Sequence, residues 1–168
     1  VKSLRALAGA LLASTLLLGA APAQAASASA VSASEASAAA ARPGNGRVLY
    51  AGLSGGEGHL KVKNGTTRDA VVTLVKGKKK ALSFYIRAKS TATLKGIQDG
   101  TYRVFYTSGY RFSTSKGRFT RYAVYRRFDD TLRYTTSSTS ATIWTLTLKP
   151  AIGGNATTSG VDPKDFPS

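Results

Sequence analysis

Between Leu60 and Pro150 the side chains alternate in character with a period of two, and this limits what the chain can fold into more than any other feature. Leu60 and Val62 alternate with Lys61 and Lys63, and Leu82, Phe84 and Ile86 with Ser83, Tyr85 and Arg87. Tyr102, Val104 and Tyr106 alternate with Arg103, Phe105 and Thr107; Leu132 and Tyr134 with Arg133 and Thr135; Trp144, Leu146 and Leu148 with Thr145 and Thr147. Successive side chains of an extended strand point to opposite faces, so each run predicts a strand with one buried face. "DAVVTLV", Asp69 to Val75, is apolar at nearly every position and predicts a strand buried on both sides. Turn-forming residues separate the runs at Asn64-Gly65, Lys76-Gly77, Ala88 to Ser90, Asp99-Gly100, Ser108-Gly109, Asp129-Asp130 and Ser137-Ser138. No helical period interrupts them. The expectation is an all-β protein, an antiparallel β-sandwich of seven or eight strands.

The segments around this region differ from it. Lys2 and Arg5 precede an apolar stretch, Ala6 to Ala20, and "APAQA" follows. A spanning helix needs about 20 apolar residues, so residues 1–25 are expected to be a signal peptide, cleaved after Ala25 or alternatively after Ala28. Val1 is read as an alternative start codon. Residues 26–46, almost all Ala and Ser, predict a disordered spacer with a reach of about 25 Å. Residues 47–150 are assigned to the β-sandwich domain, opening with a short strand and a glycine-rich loop, "LSGGEGH". Residues 151–168 form an extended C-terminal tail whose Val161 and Phe166 could pack back onto it.

The chain has no cysteine, so burial alone must hold the domain together, and no thiol is present for lipid attachment. The processed protein is therefore expected to be secreted, extracellular or associated with the cell envelope, with no transmembrane segment once the signal is removed. The sequence carries 24 Lys and Arg against 8 Asp and Glu, a net charge of +16. Loss of Lys2 and Arg5 leaves 16 − 2 = +14. A field of that sign favours polyanions.

"LKGIQDGTYRVFY", Leu94 to Tyr106, predicts two strands meeting at a tight Asp99-Gly100 corner, followed by a tyrosine able to bond its hydroxyl back to nearby backbone. This stretch resembles the corner motif of prealbumin-like and carboxypeptidase-regulatory-like β-sandwich domains. A longer set, "NGTTRDAVVTLV", "FYIRA", "RFTRYAVYRRFDD", "WTLTLKPAIGGNA" and "VDPKDFP", resembles a family of uncharacterised bacterial proteins, secreted or membrane-anchored, of high-GC lineages. The resemblance implies export and a β-sandwich of immunoglobulin-like or prealbumin-like type. It carries over no catalytic or binding residue.

Chemistry-bearing residues are sparse. His59 is the only histidine, set in a glycine-rich stretch that is a poor place to hold a general base. Asp99 is accounted for by its turn, and Asp129 and Asp130 by a turn that also partners Arg126 or Arg127. Without cysteine and with one histidine, no zinc site is expected, and no loop is acidic enough for calcium. No cofactor is expected either. "VKGKKKAL", Val75 to Leu82, predicts a hairpin tip whose lysines either guard a sheet edge or form a phosphate-seeking prong. "RFTRYAVYRRFDD", Arg118 to Asp130, interleaves arginines with aromatic rings. With Arg103, Arg87 and Lys61 it predicts a cationic sheet face in which Tyr85 and Tyr125 are embedded.

These observations favour a non-catalytic protein that associates through its basic surface with anionic cell-envelope polymers or with an acidic protein. Lys76, Lys78, Lys79, Lys80, Arg121, Arg126 and Arg127 are the candidate polyanion-binding residues, and nucleic acid would adhere only non-specifically. The alternatives are an inhibitor or adhesion-type module that binds protein through exposed aromatic loops, and a hydrolase.

Overall fold

In the computed structural model, which describes residues 42–148 and 157–167, the alternating runs become strands of two sheets. The strands are β1 (Val48–Ala51), β2 (Ser54–Lys63), β3 (Asp69–Lys76), β4 (Lys79–Ile86), β5 (Thr91–Ile97), β6 (Gly100–Ser113), β7 (Arg118–Tyr134), β8 (Ile143–Thr147) and β9 (Thr158–Gly160). One sheet has six antiparallel strands in the order β1-β4-β3-β6-β7-β9, and the other has three, β5-β2-β8. β8 runs parallel to β2, with His59 opposite Ile143, a departure from the all-antiparallel expectation. The turn at Ser137 leads into an exposed loop that brings β8 back alongside β2 rather than beside β7.

The two sheets share one core. Leu60 and Val62 of β2, Leu94 and Ile97 of β5 and Leu146 of β8 meet Val72, Leu74, Phe84, Tyr102 and Val104 of the larger sheet. Leu60, Val62, Phe84, Tyr102, Val104 and Leu146 are positions selected by the two-residue period, whereas Trp144, selected with them, is 37% exposed. Burying each core side chain contributes about 1.5–3 kcal/mol. At the corner, Gly100 adopts φ 143°, and the Tyr102 hydroxyl donates to the Gln98 carbonyl at 2.8 Å.

β3 and β4 are buried on both faces. The outer face of the large sheet is covered because the β6–β7 hairpin folds back over it. Ser108-Gly109, expected as a turn, lies inside β6 at a break in register with β7. The actual turn is at Thr114 to Gly117. Arg111 and Tyr122 take positive φ values of 54° and 49° beside that break, and the kinked tip packs Phe112 and Phe119 onto Tyr85 and Val71. Asp129-Asp130 also lies within a strand: β7 runs through it with extra residues between Arg127 and Thr131, opposite Phe105 and Arg103. The bulge gives the continuous strand the local bend that the sequence suggested as a turn.

The C-terminal segment covers the rest of that face. β9 pairs with β7, and Phe166 packs its ring against Phe105 and Tyr125 beside Val161 and Val75. The expected signal peptide and most of the spacer lie outside the described residues. Arg42 to Gly46, counted with the spacer, are held against the sheet: Arg42 pairs with Asp69, and Gly46 donates to the Tyr85 carbonyl at 2.8 Å. The glycine-rich stretch at Ser54 to His59 is strand rather than loop. It forms the irregular start of β2, where Gly58 lies against the Tyr134 ring, and His59 is half-buried.

Candidate functional site

The seven candidate cations are distributed along the large sheet. Its register sets their positions. The β3–β4 turn places Lys76, Lys78, Lys79 and Lys80 at one end, where Lys76 pairs with Lys79 and Val75 with Lys80. Arg103 joins them by donating to the Gly77 carbonyl at 2.8 Å. Arg126 and Arg127 lie midway, opposite Tyr106 and Phe105. Arg121 lies opposite Tyr110, beyond the level of Asp69 at the other end of β3. With eight residues in β3, the two ends are separated by about 25 Å.

The four hairpin lysines have different surroundings. Lys76 donates to the Asp99 carbonyl at 2.7 Å and lies 5.7 Å from the centre of the Tyr102 ring. Lys80 lies 5.0 Å from the Tyr50 ring on the outer face, and burial holds its ammonium below the usual lysine range. Lys78 and Lys79 remain exposed at the tip. Replacing all four at once would therefore combine surface charge with packing.

Tyr85 and Tyr125, expected to be embedded in an open basic face, are not exposed there. Tyr85 is fully buried beneath the folded hairpin, and Tyr125 is half-covered by Phe166. The alternation predicts one core face and one solvent face, whereas the hairpin and tail cover the second. Tyr50 and Trp144 are exposed elsewhere, and an open aromatic pair is formed by Tyr122, 66% exposed, and Tyr110, 41% exposed, whose rings meet edge to face at 6.3 Å. Arg121 lies over the first ring and Arg68 over the second, at 5.5 and 5.6 Å. Arg68 also donates to the Tyr122 carbonyl. The signal for this cluster was present in the arginine- and tyrosine-rich run, but Tyr110 and Arg68 join it only through the register of β3, β6 and β7.

Asp69, Asp99, Asp129 and Asp162 have structural roles. Asp69 is buried and accepts from Arg42, from the Tyr85 hydroxyl and from the Ala88 amide. Burial alone would raise its pKa, but these bonds outweigh it and hold the group below the usual range. Asp99 accepts from the Thr136 amide and hydroxyl at 2.9 and 2.8 Å, which ties the corner to the loop before β8. Asp129 accepts from Ser159 of β9, and not from Arg126 or Arg127 as expected. Asp162 caps the short 3-10 turn Pro163–Asp165 and pairs with Lys164. Among the described residues no three His, Cys, Asp or Glu side chains converge as metal ligands, and no helix is long and apolar enough to cross a membrane. Compared with protein-family models, characterised proteins and solved structures, the chain shows no match.

Proposed function

We propose that the chain is a secreted, non-catalytic β-sandwich protein, of immunoglobulin-like or prealbumin-like type, that associates with anionic cell-envelope polymers or an acidic protein partner. The two sheets closing on a single core support the architecture, as does the Tyr102–Gln98 bond at the corner. One observation carries the function: cations recur along the full length of the large sheet, and among the described residues only Arg42–Asp69 and Lys164–Asp162 form ion pairs. An extended polyanion can meet Lys78, Lys79 and Arg103 at one end and Arg68 and Arg121 at the other. Each phosphate or carboxylate neutralised releases counterions and strengthens binding at low salt.

The test is retention on an immobilised polyphosphate column over a salt gradient. Lys78→Glu with Lys79→Glu should elute earlier than the parent and with a shallower salt dependence, because both side chains are exposed at the hairpin tip. Unchanged elution would rule out the hairpin end.

A protein-binding module is the second reading, favoured by the Tyr110–Tyr122 pair flanked by Arg68 and Arg121. Tyrosine and arginine are the residue types that dominate binding energy at protein interfaces. A partner held there would stay bound in 0.5 M salt, about a 4 Å screening length, and would be released by Tyr122→Ser.

A further inference from the structure

Beyond the exposed cations, the outer face of the large sheet contains a cavity of about 250 Å³. Its floor is formed by three hydroxyl-bearing side chains that share that face, Thr73 of β3, Ser83 of β4 and Thr107 of β6. All three are at most 2% exposed. The Oγ1 of Thr107 is buried and has no hydrogen-bond partner among the described residues. A buried hydroxyl left unpaired costs about 1–3 kcal/mol, so such groups usually have a partner.

The walls come from the two segments that fold over the sheet. Phe112 is carried by the kinked hairpin and Phe166 by the C-terminal segment. Lys80 and Arg47 supply positive charge, and among the described residues no carboxylate lines the cavity. Lys80, grouped by sequence with the exposed hairpin lysines, thus lines this partly open cavity. Its ammonium is partly desolvated there, which strengthens its attraction for an anion.

We propose that this cavity binds a small organic anion, a carboxylate or phosphate ester on an apolar body, with the charged end at Lys80 and Arg47 and the hydroxyl floor, and the body between Phe112 and Phe166. The volume corresponds to roughly eight water molecules, which matches a ligand the size of benzoate. The site does not depend on the polymer-binding proposal, since it lies on a different surface from Lys78 and Lys79.

The experiment is calorimetric titration of the full chain with benzoate, phenyl phosphate and benzyl alcohol. At least one of the two anions should saturate a single site, and the tighter of them identifies the head group. Benzyl alcohol, of similar size and uncharged, should bind about tenfold more weakly or not at all. Lys80→Gln and Thr107→Val should each weaken the anion about tenfold. Thr107→Val should fold with stability equal to or above the parent, because it removes a hydroxyl with no partner. Lys78→Glu with Lys79→Glu should leave the titration unchanged while reducing retention on polyphosphate, so failure of one proposal is distinct from failure of the other. The proposal is overturned if neither anion saturates, if benzyl alcohol binds as tightly as the anions, or if Lys80→Gln and Thr107→Val both titrate like the parent.

Discussion

The hydroxyl of Tyr85 donates to the carboxylate of Asp69, joining the C-terminal end of β4 to the first residue of β3 beneath the folded hairpin. Asp69 also accepts from Arg42 and the Ala88 amide, so a single acid ties together the segment before β1, two strands and the turn after β4.

Asp69→Asn should therefore cost about 2–3 kcal/mol, with the half-exposed Arg42 keeping the loss below that of a fully buried pair. The folded pKa of Asp69 is depressed, so its contribution is complete above the unfolded carboxylate value, about pH 4, and is lost as pH falls through the folded value. Urea denaturation between pH 7 and pH 2 should show the parent and Asp69→Asn converging at the acid end. Parallel curves across that range would contradict the assignment.

Gly109 permits the hairpin to fold back. A Cβ there would lie 2.8 Å from the Cβ of Phe119 and 2.9 Å from the Arg121 carbonyl oxygen, and neither is the free end of a flexible side chain. Gly109→Ala should destabilise by about 1–3 kcal/mol through overpacking. Loss of near-ultraviolet circular dichroism from the Tyr85, Phe112 and Phe119 cluster should accompany it.

Tyr122 combines a positive φ with 66% exposure, an unfavourable backbone state held by a residue that buries little. Tyr122→Gly should relieve roughly 1 kcal/mol of that strain. Its melting temperature should stay level or rise, while any salt-resistant partner is lost. A strongly destabilised variant would instead mark the ring as a packing element.

Phe166→Ala should loosen the tail from Phe105 and Tyr125 at a cost of about 2 kcal/mol. Hydrogen exchange should accelerate at the Ser159 to Val161 amides and hardly change in β2. Uniform acceleration across both sheets would show that the tail is integral to the global fold.

The period of two was sufficient to place Leu60, Val62, Phe84, Tyr102 and Val104 in the core, and the unbroken apolar run of Asp69 to Val75 identified β3 as buried on both faces. It was less informative where a strand bends without ending. Ser108-Gly109 and Asp129-Asp130 have turn chemistry, but each lies at a bulge within a long strand, because continued pairing of β6 with β7 outweighs local preference. The cation site was only partly legible. The basic residues were visible one by one, but strand register is what brings Arg68 over Tyr110 and sets Lys80 and Thr107 in the lining of one cavity. The enclosure of Tyr85 depended on Phe112 and Phe119 of the distant hairpin tip, with Leu49 of β1 beside them, and none of these leaves a periodic signal in β4.

The parallel pairing of β2 with β8 also bears on how the molecule assembles. His59 meets Ile143 across most of the domain's sequence, and pairings of such long separation close late and slowly. The smaller layer is incomplete until the residues through Thr147 have been synthesised. A chain emerging from a ribosome would thus close its second layer only near the end of synthesis.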